Sequence, residues 1–373
     1  MSTFLAVGDL GTESPAPARF FDAVRDELRR ADLVFGQLEL TVSERGARVP
    51  QVRHTGKAHA SFPAVLKDAG FDCLGWASNH SLDWGTEGFL DTVDALVDAG
   101  LVPLGVGRDL AEARRIRVLD ADGVRVAVLA YCSILPQDYW ATDRRPGCAP
   151  LRAFTHYEQI EPDQPGTPAR IRSFPHPDDL AGMEADVRAA REVADVVVVS
   201  MHWGLHFIPA EIAEYQSIAG HAAVDAGADL VIGHHAHILK GIEVYRGTPI
   251  FYGIGNFVLE LEMTPEHMTR PSFLELLALN PDWEPSLESR YNFPRDSHKT
   301  MAVVCELTSE GIAEVAFRPA YISDEAIPSF LEPDDPRFAE VVDYVAQMSD
   351  RAGLPVALSV RGNRVIVTDP DVG

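Results

Sequence analysis

Cysteine is scarce here: four in 373 residues (Cys73, Cys132, Cys148 and Cys305), with no Cys-x-x-Cys pair. Three of them sit in apolar, strand-like runs and read as core thiols. Cys148, in Arg145-Pro146-Gly147-Cys148, reads as a loop residue. Nothing requires an oxidising compartment. Basic charge is also short, with 32 Lys and Arg against 56 Asp and Glu, a net charge of -24. That argues against nucleic acid and anionic membrane surfaces, which select basic patches. A polyanionic substrate would be repelled unless the site were locally positive through metal. No apolar run approaches the roughly 18 residues of a membrane span. The N-terminus enters a strand at once, without a basic region before an apolar one. Repeats, low-complexity tracts and coiled-coil heptads are absent. A reduced cytoplasmic enzyme with no membrane partner is the expectation.

Hydrophobic residues make up 46% of the chain, enough for a substantial core. The first 130 residues alternate strand and helix, with helices expected at 18–30, 62–69 and 86–99 and a buried strand at 124–132. The alternation stops over 133–178, where eight prolines are interleaved with Tyr139, Trp140, Phe154 and Tyr157. Long loops in compact domains are usually functional, so this is expected to be an ordered insertion walling a site. Alternation resumes with helices at 178–193 and 211–226 and strands at 196–200 and 229–232. Hairpins are expected at 242–252, 300–317 and 357–367, with helices near 272–279 and 336–351. A core over 1–260 and an extension over 261–373 that completes the fold and walls the site follow from this pattern.

The apolar strands carry polar tips. Asp9 follows Phe4–Gly8, Glu39 follows Leu33–Phe35, and Asn79 and His80 end the run from Cys73. His202 ends Val196–Met201, and His235 and His237 follow Leu230–Gly233. In open α/β sheets the C-terminal strand edge is where ligands bind. Carboxylate, amide and imidazole together suit borderline divalent ions such as Mn, Fe, Zn or Co.

At these residues the chain resembles the CapA-like (poly-γ-glutamate capsule synthesis) branch of the calcineurin-like metallophosphatase superfamily. The strings are Gly8-Asp9, Leu38-Glu39, Ser78-Asn79-His80 with Leu82–Gly85, His202-Trp203-Gly204, 227–237 and Tyr252–Phe257. The resemblance covers about residues 4–260. It implies a four-layer α/β/β/α sandwich with a binuclear metal site. By position, Asp9, Glu39, Asn79, His202, His235 and His237 are the implied ligands, Glu39 bridging. His80 is the implied acid or electrophile. His234, His206, Asp83, Trp203, Asn256 and Lys240 are expected to support the ligands or meet substrate, Asp83 by orienting His80.

The departures from the family pattern matter. Superfamily phosphatases usually carry Asp-x-His on the first strand, where this chain has Asp9-Leu10-Gly11, so one metal lacks a His. His206 stands where the branch usually has Glu, and Lys240 where it has Gln. Two metals can clamp a phosphate or carboxylate and activate a water, which gives a hydrolase of phosphoester or γ-glutamyl amide bonds. The same clamp stabilises an ene-diolate, and two acid–base groups on opposite faces would then invert a Cα. That resembles the soluble, CapA-like lasso-peptide epimerase acting on the C-terminal residue of a ribosomal precursor peptide. Epimerisation is the sharper expectation, with Asp9 and His298 as the two bases, His80 catalytic, and a peptide or small carboxylate or phosphate as substrate. The insertion aromatics would hold an apolar peptide end. A non-catalytic polymer-assembly protein is the third reading. His54, Lys57 and His59 form a basic loop, and His221 lies on an amphipathic helix; surface and structural roles are expected.

Overall fold

The computed structural model describes residues 1–50, 52 and 56–371. Two sheets face each other. The ten-stranded sheet runs Ala357–Arg361, Arg364–Thr368, Gly311–Ile322, Lys299–Thr308, Ser2–Gly11, Leu33–Leu38, Cys73–Gly75 and Val102–Leu104, with Asn256–Leu259 also paired to Ser2–Gly11 and Pro328–Phe330 to Gly311–Ile322. The six-stranded sheet runs Ile242–Tyr245, Thr248–Phe251, Leu230–His234, Val196–His202, Val124–Cys132 and Val118–Ala121.

Strand alternation explains the layering. In Ser2–Gly11, Phe4 and Ala6 point between the sheets while Leu5 and Val7 point outward. In Val196–His202, Val196 and Val198 face the same inter-sheet core, and Val197, Val199 and Met201 face the other way. A period of two on strands buried on both faces requires apolar residues at every position, which is why these segments read as unbroken runs. Helices Phe62–Ala69 and Gly85–Asp98 cover the first sheet through Phe62, Leu66, Phe89 and Leu96. Helices Pro177–Arg191 and Glu214–Ala226 cover the second through Met183, Val187, Ala219 and Ala223. The result is the expected α/β/β/α sandwich. Each fully buried side chain of this kind contributes about 1.5–3 kcal/mol.

Two segments differ from the sequence expectation. The stretch 18–30 is a 3₁₀ turn, Pro17–Phe21, and a four-residue helix, Arg25–Leu28, rather than one helix. Pro17 starts the turn, and Phe20, Phe21, Val24 and Leu28 all pack inward, a spacing that a broken path satisfies as well as a continuous one. The insertion contains an antiparallel hairpin, Ala153–Glu158 with Arg170–Pro175, laid against helix Glu214–Ala226. Residues beyond 260 fill the first sheet: Lys299–Thr308 lies directly against Ser2–Gly11 in antiparallel register, Phe4 opposite Cys305.

Candidate metal centre

Both sheets end their parallel strands at one edge, and the polar tips meet there. The first strand reaches this edge through a close approach. Asp9 N donates to Gly255 O at 3.2 Å, and a Cβ on Gly8 would lie 2.0 Å from that same oxygen. Gly255 itself has φ +76. Glycine at both positions lets the Asn256 loop sit against Asp9. On the facing sheet His202 and His234 are register partners. His235 and His237 lie beyond, at φ 83 and 55, a left-handed conformation uncommon outside glycine and concentrated at functional sites.

Six implied ligands converge in two groups. Asn79 Oδ1 lies 2.7 Å from His202 Nε2 and 3.1 Å from His235 Nδ1. Asp9 Oδ2 lies 3.3 Å from His237 Nδ1, and Asp9 Oδ1 lies 3.2 Å from His234 Nδ1. Glu39 joins the groups: its Oε1 is 3.3 Å from His202 Nδ1, and ligand atoms of Asp9, Glu39 and His202 all fall within 4.8 Å of one another. Asp9 Oδ1, Glu39 Oε1, His202 Nδ1 and both His234 nitrogens are buried without a hydrogen-bond partner. Two donors on one ion, each at about 2.0–2.2 Å, stand about 3.0–3.4 Å apart. The orphaned pairs have that spacing, so the donor set fits divalent ions.

The electrostatics agree. Burial, with the neighbouring imidazoles adding to it, keeps His202 and His235 neutral well below the usual histidine range and pushes His206 down to about 3. Neutral imidazole is the form that ligates. Burial, then the Asp9 and Asp83 charges, raises the Glu39 carboxyl. Burial alone would raise Asp9 too, but His234 and His237 hold it below the usual carboxylate range. The repulsion between two buried carboxylates is relieved by a cation between them or by a proton on one.

His80 Nδ1 bonds Asp83 Oδ2 at 2.7 Å, and Tyr139 OH donates to Asp83 Oδ1 at 2.8 Å. His80 Nε2, 3.9 Å from Glu39 Oε2, is left for substrate. His237 Nδ1 bonds Asn256 Oδ1 at 2.7 Å, and Asn256 Nδ2 donates to Tyr291 OH at 2.8 Å. Trp203 stacks on Tyr252 behind the histidines. His206 packs 3.9 Å, ring to ring, from His235. Lys240 Nζ donates to the carbonyls of Ile208 and Glu211, tying down the loop after Trp203.

A cavity of about 1000 Å³ opens above Glu39, Asn79, His80, His206 and His237. From the insertion, Ile134, Pro136, Gln137 and Asp138 reach its wall. The other insertion aromatics do not. Trp140 stacks with the Arg145 and Arg152 guanidiniums, while Phe154 and Tyr157 are exposed on the hairpin. The apolar wall comes instead from Met263, Phe273, Leu276, Trp283 and Phe293, with Phe207. The sequence placed a wall in the 261–373 extension without singling out these residues, because the segment is Pro- and Glu-rich.

His298 is not brought to the cavity. Its Nδ1 bonds Ile322 O at 2.6 Å, its ring packs on Tyr291 and Tyr321, and it lines a separate depression with Asp282 and Asp324. The loop before Lys299–Thr308 turns behind Tyr291, which separates His298 from Asn256 and His237. His221 bonds Glu243 and stacks on Tyr245. Lys57 sits over Trp84, and His59 bonds Ser61. His54 lies outside the described residues.

Residues 4–260 match the profile of the bacterial capsule synthesis protein family PGA_cap. The chain belongs to that family. Among its relatives, the PGA biosynthesis protein CapA of Bacillus subtilis is 30% identical over 252 residues, 67% of this chain and 59% of CapA. The probable polyglutamine synthesis accessory protein Rv0574c of Mycobacterium tuberculosis is 35% identical over 211 residues, 54% of this chain and 49% of that protein. The protein y4sH of Sinorhizobium fredii is 30% identical over 315 residues, 70% and 67% of the two chains. The chain thus spans about half to two thirds of these relatives. A calcineurin-like phosphoesterase structure, YfkN from Bacillus subtilis, aligns with TM-score 0.40 and 13% identity over 94% of this chain and 97% of that one. Among the described residues no helix is long and apolar enough to cross a membrane.

Proposed function

We propose that this PGA_cap protein is a metal-dependent hydrolase of phosphoester or γ-glutamyl-type amide bonds in capsule-type polymer metabolism. One observation carries the reading: an acid–base group held in place, His80 backed by Asp83 and Tyr139, faces a cavity floored by Glu39, Asn79 and His237. Asp9, Glu39, Asn79, His202, His235 and His237 would hold the ions. Divalent ions bound there supply Lewis-acid polarisation and water activation. The chain's own part is proton transfer and orientation. Asp83 accepts a hydrogen bond from His80 Nδ1–H, fixing the ring and leaving Nε2 to face the leaving group.

Epimerisation needs a second base on the opposite face of Cα, and His298 is held elsewhere by Ile322 O. Hydrolysis needs only one. The test is to incubate metal-loaded protein with p-nitrophenyl phosphate, bis(p-nitrophenyl) phosphate and a γ-glutamyl anilide, and separately with a peptide in D₂O. Metal-dependent cleavage lost in His80→Ala supports the hydrolase. Deuterium at Cα with no cleavage would replace it with the epimerase. Neither activity would favour an assembly role.

A further inference from the structure

One imidazole at the centre has no role in the account above. His234 ends the strand Leu230–His234 with 1% of its surface exposed, facing Phe35 at 5.8 Å between ring centroids. Neither of its ring nitrogens has a hydrogen-bond partner. Leaving such groups unmet in a dry interior is unfavourable. Its Nδ1 lies 3.2 Å from Asp9 Oδ1, an atom that is itself buried and unpartnered. That separation suits an ion pair, and it equally matches the spacing of two ligand atoms on one ion.

The first strand cannot supply an imidazole here. A Cβ at Gly11 would lie 2.7 Å from Leu40 Cγ and 3.0 Å from Leu259 Cδ1, so that place is already filled by aliphatic side chains. His234 approaches Asp9 from the opposite sheet. Its backbone is fixed there by pairing with His202.

We infer that His234 is a metal ligand which, with Asp9 and His237, completes one of the two ion sites from the second sheet. The ion class is borderline divalent: Mn, Fe, Zn or Co. The inference rests on the metal-dependent reading above. The competing description makes His234 a positioning residue that only orients Asp9.

Two measurements separate these. In crystals of the wild-type protein soaked with ZnCl₂ or MnCl₂, an anomalous peak should lie about 2.0–2.2 Å from a His234 ring nitrogen. Equilibrium dialysis with element analysis should find two ions per wild-type chain and one per chain in His234→Gln and His234→Phe. The affinity of the lost site should fall by more than the 10–100-fold typical of removing an orienting partner. Two tightly held ions in folded variants, or a peak beyond about 3 Å from both His234 nitrogens, overturns the inference while leaving the metal-dependent hydrolase standing. No ion bound by the wild type overturns both. If the variants do not fold, the wild-type anomalous map decides alone.

Discussion

On the proposed reading, the division of labour at the residue scale is between groups that would hold ions and one that would move a proton. His80→Ala removes the proton donor but no ligand. Cleavage should slow by about 10²–10⁴-fold with metal stoichiometry unchanged. Asp83→Asn should cost less and retain the fold, since Tyr139 keeps a partner; steady-state kinetics beside metal analysis checks both. Lys240 offers a pH test. Burial lowers its ammonium from 10.5 to about 8. The unfolded chain therefore binds more protons between those values, and stability contributed by this group rises with pH from about 8 to 10.5. Lys240→Met abolishes that term. The wild type should gain on the variant by up to about 3 kcal/mol across the window, at about 1.36 kcal/mol per unit, readable from urea unfolding at pH 7.5 and 10.5. The residues that converge on this edge stand out in the sequence because each ends an apolar run. His298 was misread because a loop's direction is set by what it packs on, here Tyr291 and Tyr321, which no local spacing records.

At the element scale the site depends on close backbone approach. Gly8 lets the first strand meet Gly255, so Gly8→Ala must push one of them away. Metal affinity should drop together with stability, because Asp9 rides on that strand; calorimetric metal titration beside thermal melts would show both. The segment 261–293 behaves differently. Its small core of Phe207, Met263 and Trp283 borders the cavity rather than the sheets. Trp283→Ala should raise KM while changing kcat little, and leave the ion count at two. The sheets were legible from period-two and unbroken apolar patterns. The hairpin at 153–175 was not, because its outward residues are polar or exposed aromatics and it pairs only with itself. The sequence placed a wall in the 261–373 extension but did not single out its residues, because its two short helices, Pro265–Thr269 and Pro271–Leu279, bury none of their own residues completely.

At the scale of the whole molecule the cluster is costly without ions. Asp9 and Glu39 are both buried, beside His202, His206 and His235, which burial keeps neutral, and several unpaired polar atoms. The layers on either side are apolar and indifferent to metal, so the fold forms around a strained polar edge. Ions that bind the folded state and not the unfolded chain stabilise it by RT ln(1 + [M]/Kd), about 2.7 kcal/mol per site at 100 times Kd. The melting temperature should therefore climb with the logarithm of MnCl₂ or ZnCl₂ concentration and fall on chelation, whereas a reductant should leave it unmoved because all four cysteines are free. His80→Ala should keep the full metal-dependent rise, since it removes no ligand; His202→Ala should lose most of it. A melting curve indifferent to both metal and chelator would mean that the paired carboxylates are satisfied by protons alone, and the raised Glu39 carboxyl would then be the group that carries one.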